Sequence, residues 1–255
     1  MSEHDRALSL AFDDQAPKFE RAPVQSDPAA LARLVQAAEL PPDSYILDAG
    51  CGPGLVSAAF LQAGHRVHGV DLSAEMVSRA RTRCEPYGDR AQFAQTTVFD
   101  PSLWGPFDAT ISRYVLHHLK DPAEFLFRQV ELLRPGGVVV LCDHTTDPDD
   151  ERSRYHQELE RARDLTHTLN LTPGAIVDLF VAAGLYEVTL IEELFTLDFD
   201  EWFDRGTPSV PKEEVRERLR NGPRARGFRA EESSGGTITI HCERSIVRGR
   251  KPIVI

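Results

Sequence analysis

Tyr45–Gly54 reads YILDAGCGPG. Four apolar or aromatic residues and one carboxylate, Asp48, lead into three glycines at alternate positions: Gly50, Gly52 and Gly54. The apolar run has the character of a buried strand over Tyr45–Asp48, and Leu55–Ala63 continues as a helix that stops at Gly64. A glycine loop between a strand and a helix lets a ligand approach the backbone closely. In an open α/β sheet, ligands bind outside the carboxyl ends of the strands, and the first strand–helix turn is the usual place.

Working outward, the same rhythm repeats. Asp27-Pro28 caps and opens a helix over AALARLVQAAEL, which Pro41-Pro42 ends. Arg66–Val70 is a strand, Ser73 caps a helix to about Cys84, and Ala91–Gln95 and Phe107–Ser112 are strands. Asp121-Pro122 opens a helix to Leu133, and Pro135-Gly136-Gly137 turns into VVVLC, a strand apolar on both faces. This alternation predicts an α/β fold with a doubly wound, mostly parallel sheet. Beyond Asp143 the pattern changes. Residues 150–170 predict a charged helix, Thr172-Pro173 caps another that ends at Gly184, and Tyr186–Leu197 is a strand. Residues 198–230 are irregular or helical. The last segment, RAEESSGGTITIHCERSIVRGRK, alternates as a β-hairpin with Ser233–Gly236 at its turn. The expectation is one domain over 1–255. It has an N-terminal lid segment at 1–26, a ligand-binding core at 27–145 and a substrate side at 146–255. The substrate side carries a final antiparallel strand and an inserted lid at 198–235.

The loop argues about its ligand. A dinucleotide fold wants G-x-G-x-x-G with a pyrophosphate on the helix N-terminus. Here the spacing is G-x-G-x-G, and Asp48 on the strand end would repel a pyrophosphate and suit a cationic amino group. In VHGVDLS, Asp71 ends the second strand, where a carboxylate can accept both hydroxyls of a ribose. A ligand with a ribose and an amino-acid end but no phosphate is S-adenosylmethionine.

ILDAGCGPG, GVDLS, FDATISRYVLHHL and LLRPGGVVVLCDH, in that order, resemble successive motifs of the class I S-adenosylmethionine-dependent methyltransferases. Within these, the chain resembles the small-molecule type related to ubiquinone and menaquinone biosynthesis. The resemblance covers roughly residues 8–145. DEWFDRGTPS and the terminal ITIHCERSIVRGRK are similar to the carboxyl half of a bacterial subgroup. The resemblance implies a Rossmann-like methyltransferase fold and roles for the matching residues. Asp48 orients the methionine amino group, directly or through water, and Gly50 and Gly52 offer backbone contacts to the methionine moiety. Asp71 holds the ribose, with Leu72 and Met76 packing near the adenine. Thr97 and Val98 stand where the family commonly has an acid followed by alanine, and the threonine hydroxyl can still accept from the adenine amino group. Arg113 lies beside the methionine end.

Each assignment has a plainer alternative. Asp48 could cap the helix after the loop, and Arg113 could be a structural ion-pair partner. Ser73 already caps the helix after Asp71, which leaves Asp71 to the ligand. His117 and His118 follow the fourth strand and His144 the fifth, on the ligand edge. Adjacent helical residues do not share a face, so one of His117 and His118 packs inward while the other lines the pocket. His117 and His144 are the candidate catalytic residues, as general bases suited to near-neutral pH. Phe12 and Phe19 could close over the cofactor. Methyl transfer asks chiefly for alignment of donor and acceptor.

The net charge is −11, from 29 basic and 40 acidic residues. That is poorly suited to phosphate backbones, and no N/D-P-P-Y/F motif for base methylation is present, so no nucleic-acid partner is expected. The basic stretch Arg216–Arg229 reads as a solvated helix face. No apolar run approaches membrane-spanning length, and MSEHDRALSL has no apolar signal core. Cys51, Cys84, Cys142 and Cys242 form no CxxC pair, so free thiols are expected and no metal site. These features together predict a cytoplasmic enzyme acting on a small-molecule acceptor without a membrane partner. The rival readings are a nicotinamide-dependent dehydrogenase and a protein of this fold that uses the cofactor structurally, as a cyclase or a regulatory binding protein. The acceptor, the methylated atom and the oligomeric state are not legible.

Overall fold

The computed structural model describes residues 3–253. In chain order the helices and strands are α1 (Glu3–Arg21), α2 (Pro23–Ser26), α3 (Pro28–Ala38), β1 (Tyr45–Ala49), α4 (Leu55–Gln62), β2 (Arg66–Asp71), α5 (Ala74–Cys84), β3 (Ala91–Gln95), β4 (Phe107–Arg113), α6 (Pro122–Leu132) and β5 (Leu133–His144). They continue with α7 (Asp150–Arg163), α8 (Pro173–Ala182), β6 (Tyr186–Asp198), α9 (Phe199–Arg205), α10 (Lys212–Asn221), β7 (Phe228–Glu232) and β8 (Ile238–Arg250). Short 3-10 turns cover Glu85–Arg90 and Leu116–His118.

The sheet order is β3-β2-β1-β4-β5-β8-β6, with β7 paired to β8. Strands β1 to β5 pair in parallel, and the order reverses between β1 and β4. Strand β8 runs antiparallel to β5, β6 and β7. The predicted final antiparallel strand is therefore present. One edge of β8 is shared, because residues 244–250 pair with β5 and residues 238–242 with β7.

Apolar residues on alternate strand positions feed two cores, one on each face of the sheet. Leu47, Phe107, Val139, Leu141 and Val247 pack against α6 and α8 through Phe125, Leu126, Ile176 and Phe180. Ile46, Val67, Ile111, Val138, Val140 and Ile246 pack on the other side with Leu34 and Phe60 of α3 and α4. A third core lies beyond the parallel part, where Leu159, Phe199, Trp202, Val215, Phe228 and Ile240 join α7, α9, α10, β7 and β8.

The sequence cues for capping hold. Asp27, Ser73, Asp121 and Thr172 each accept a backbone N–H from the first turn of the helix they precede. Ser233 and Gly236 close the turn between β7 and β8. Three expectations change. The predicted helix at 150–170 ends at Arg163, because the Asp164 carboxylate accepts from the Thr166 N–H and hydroxyl and draws the chain out of the helix. The N-terminal segment, which showed no clear pattern, forms the 19-residue helix α1 with Pro17 inside it. Strand β5 begins at Leu133, before the glycine pair, with a register irregularity between Phe107 and Ala109. Among the described residues no helix is long and apolar enough to cross a membrane.

Candidate active site

The glycine loop follows β1 at the reversal of strand order. Its backbone donors are already engaged. Gly50 N and Cys51 N both donate to Val70 O (2.9 and 3.0 Å), Gly52 N to Asp71 Oδ2 (2.8 Å) and Gly54 N to Cys51 O (3.0 Å). A loop whose N–H groups are spent this way is no cradle for a pyrophosphate, which needs them free. Two glycines are required for different reasons. Gly54 has φ +80 and a Cβ there would stand 2.9 Å from Ala80 Cα, so it lets α4 and α5 approach. Gly52 has φ +50 and a Cβ there would meet nothing within 4 Å, so its backbone lies open to the cavity.

That cavity, about 280 Å³, is walled by Gly50, Gly52, Asp71, Leu72, Met76 and Thr97, with Val98 and Arg113 further along. Asp71 is fixed in place, since its Oδ1 takes the Ser73 N–H (2.9 Å) while Oδ2 takes that of Gly52. Burial raises its pKa above the usual carboxylate range, and these backbone donors partly offset the rise. Asp48 does not line the cavity. It lies beneath the loop, 1% exposed, and its Oδ2 accepts from Ser57 Oγ (2.6 Å). Burial pushes it up to about 7, against the Ser57 hydrogen bond. It is not the cap of α4, whose N-cap is Gly54 without a side-chain bond. The Arg113 guanidinium donates to Gln25 O (2.9 Å) and Val24 O (2.8 Å) and sits over the Tyr114 ring. It thus ties α2 to the end of β4.

Helix α1 lies along the opening. Ser9 Oγ donates to Leu72 O (3.0 Å), and Asp13 accepts from Ser73 Oγ (2.5 Å). Phe12 sets its ring edgewise on His118 at 4.9 Å. His4, Leu8, Phe12 and Phe19 all line the cavity.

A second cavity, about 30 Å³, lies behind the first and shares Phe19, Gln25, Tyr114 and His118 with it. His117 and His144 line this smaller space. His117 Nδ1 donates to Asp143 Oδ1 at 2.5 Å, and the same carboxylate accepts the N–H groups of Leu116 (2.7 Å) and His144 (2.7 Å). Burial alone would lower the His117 pKa, but the charge and hydrogen bond of Asp143 raise it above the ordinary histidine value. Its neighbours move the other way. Burial and the nearby His117 charge bring His118 down to about 3 and His144 well below its usual value. Burial brings His167 to about 2 despite the opposing charge of Glu160. His117 is therefore the histidine of this group that can carry a proton near neutrality. His144 stacks on Tyr114 at 4.4 Å and makes no side-chain hydrogen bond among the described residues. Among those residues no group of three or more His, Cys, Asp or Glu is arranged to hold a metal ion.

Sequence reasoning placed His144 on the ligand edge and did not single out Asp143 before it as the partner of His117. It also missed Tyr114, Glu160, Arg163, Trp202 and Arg205 as cavity walls. Tyr114, with φ +60, is one of the walls common to both spaces, and its hydroxyl accepts from Arg244 (2.8 Å). No local pattern marks the others, because α7 and α9 bring them together only in the fold.

A family model described as a methyltransferase domain matches residues 24–190, more than half of the chain. The chain belongs to this family and is an S-adenosylmethionine-dependent methyltransferase. The methyltransferase YcgJ of Bacillus subtilis (strain 168) is 25% identical over 207 residues, 80% of this chain and 82% of that protein. The crystal structure of YcgJ aligns with TM-score 0.78 at 23% identity, over 89% of this chain and 99% of that one. The ubiquinone biosynthesis O-methyltransferase of Aeromonas salmonicida (strain A449) is 29% identical over 147 residues, 55% of this chain and 62% of that protein. A phosphoethanolamine N-methyltransferase of Haemonchus contortus, solved with S-adenosylhomocysteine, shares the fold at TM-score 0.61 and 17% identity. Its alignment spans 88% of this chain and 53% of that one. These matches do not favour a non-methylating use of the cofactor.

Proposed function

We propose that this chain methylates a small molecule at an atom that carries a proton, such as a hydroxyl oxygen, with His117 as general base. The single observation that carries this reading is the His117–Asp143 pair in the wall of the smaller cavity. Its Nδ1–H is committed to Asp143, so the ring nitrogen left to take a proton is Nε2. Asp143, held by two backbone donors, fixes the ring and stabilises the imidazolium that forms.

Engaged loop donors and a pre-set Asp71 suit a nucleoside without phosphates. Asp71 takes the ribose hydroxyls, Leu72 and Met76 flank the adenine with Thr97 and Val98 at its edge, and Gly50 and Gly52 face the amino-acid end. Asp48 supplies negative charge beneath the loop for the amino group. Arg113 acts through the backbone it holds and positions the N-terminal segment. When bound, S-adenosylmethionine supplies a methyl group on a sulfonium, which an attacking lone pair displaces in line, the bond pair staying on sulfur. His117 takes the proton that the acceptor loses, so the oxygen ends as a neutral ether and the imidazole as its cation. His144 shapes the wall beside it. Helix α1, with Phe12 and Phe19, serves as a lid that opens for entry and excludes water when shut, and the segment between β6 and β8 completes the acceptor side. An oxygen acceptor accords with the ubiquinone O-methyltransferases among the relatives.

The test is titration of cofactor-stripped protein with S-adenosylhomocysteine and with NADH, followed by methyl uptake by a panel of phenols. Binding of the sulfur ligand and methylation of a phenol that His117→Gln abolishes are expected. Binding of NADH alone, or full activity in His117→Gln, would overturn the reading.

A further inference from the structure

The smaller cavity holds a buried cation with little to satisfy it. Arg205, on α9, is 8% exposed and lines that space. Of its guanidinium donors, only NH1 has a hydrogen-bond partner among the described residues, Glu201 Oε1 at 3.2 Å, one turn earlier on the same helix. The Glu201 side chain is 35% exposed, so water competes with Arg205 for its carboxylate.

The other charges facing this space each have an opposite charge within 4 Å, although Arg163 Nε, buried there, makes no hydrogen bond. Arg163 lies 3.3 Å from Glu160 and 3.6 Å from Asp164, and its NH1 donates to Trp202 O (3.0 Å). Glu160 also takes the indole N–H of Trp202 (3.4 Å) and faces His156 Nε2 at 3.6 Å. Asp143 belongs to His117. Arg205 has Glu201 as its one ion-pair partner among the described residues, and burial together with the nearby Arg163 brings its pKa down to about 10 against the charges of Glu201 and Glu160. A guanidinium desolvated in this way favours a carboxylate, which its planar fork can bind through two parallel hydrogen bonds.

The volume sets the size of the partner. About 30 Å³ is two to three times the roughly 10–15 Å³ that a cavity needs to hold one water. It admits a terminal group and not a whole acceptor. The walls shared with the larger cavity, Tyr114, His118 and Phe19, are aromatic rings past which the rest of a molecule would extend.

We infer that Arg205 is the carboxylate-binding residue of the acceptor site, so that the acceptor is a small hydroxy acid with its anionic end in the smaller cavity and its methyl-accepting hydroxyl within reach of His117. The inference rests on the methyltransferase reading for the hydroxyl and on Arg205 alone for the acid.

The experiment titrates the full chain with benzoate and with benzamide, its uncharged isostere, each with and without saturating S-adenosylhomocysteine. Benzoate is expected to bind at least about tenfold tighter. Arg205→Gln should erase that preference and leave S-adenosylhomocysteine affinity unchanged. Glu201→Gln removes the guanidinium's one competitor, so benzoate should bind more tightly than to wild type. Equal binding of acid and amide, absence of benzoate binding in the low millimolar range, or a preference that survives in Arg205→Gln overturns the assignment. If Arg205→Gln does not fold, Glu201→Gln decides, and unchanged or weaker benzoate binding there counts against it. Failure to bind S-adenosylhomocysteine would remove the methyltransferase reading instead, and the acid–amide comparison on the free protein still reports on Arg205.

Discussion

His117 Nδ1 donates to Asp143 Oδ1 across 2.5 Å, joining the turn after β4 to the end of β5. The pair also meets the backbone, since Asp143 holds the N–H groups of the residue before His117 and of the residue after itself. A base fixed at one nitrogen and raised in pKa by its partner is strong but must be unprotonated to act.

Replacing His117 by Gln should therefore lower the rate by about 100- to 10,000-fold, with S-adenosylhomocysteine affinity unchanged. In wild type the rate should climb with pH as His117 loses its proton, with a midpoint above the ordinary histidine value of about 6.5. Steady-state kinetics across pH settles it, and a flat profile would sink the assignment.

Asp143→Asn removes the charge that holds the His117 pKa up, so burial then dominates. The rising limb should move to lower pH while the plateau falls. Stability should drop by about 1–3 kcal/mol, read by denaturant unfolding. The sign of the pH effect follows from the two shifts. His117 is raised when folded, so its contribution is full below its unfolded pKa and fades as pH rises through the folded value. Asp143 is depressed, so its contribution is full above its unfolded pKa and fades as pH falls through the folded one. Wild type should show a stability gain over Asp143→Asn that is largest between about pH 4 and 6.5. A gain that grows toward alkaline pH would contradict the pairing.

Asp71→Ala should weaken S-adenosylhomocysteine binding by about 10- to 100-fold, as expected for hydrogen bonds to a charged group. It also leaves Gly52 N without its partner. Calorimetric titration gives the answer directly, and an unchanged affinity removes the ribose role.

Asp48 is raised to about 7 in the folded chain. A carboxyl raised on folding stabilises the protonated fold, and that stability is lost as pH rises through 7. Asp48→Asn should then make the free protein more stable at pH 8 by about 2 kcal/mol, while weakening cofactor binding. A melting curve at pH 8 no higher than wild type would contradict the shift.

The glycine loop and most residues that line the larger cavity were readable from sequence because their signals are local. A strand, a glycine loop and a helix sit within twenty residues of one another, and Asp71 follows one strand later. The acceptor half was not. Arg205, Glu160 and His156 lie on α9 and α7, and each looks like an ordinary polar helix residue until the third core folds them inward. Helix α1 escaped for a related reason. Of its buried residues, Leu8 lines the cavity and Gln15 reaches Asp164 and Thr207, and none joins the two sheet cores, so no long apolar stripe marks it. Its anchoring hydrogen bonds reach Leu72, Ser73 and Thr207, which no local pattern reveals.

The shared edge of β8 has an evolutionary corollary. One stretch of that strand completes the parallel sheet beside β5, and the adjoining stretch carries β7 and faces the third core. Residues 199–232 can thus drift or be exchanged between relatives as a cassette, seated on a strand whose far half is anchored elsewhere. Exchanging that cassette would alter the wall of the smaller cavity and leave the glycine loop and Asp71 in place.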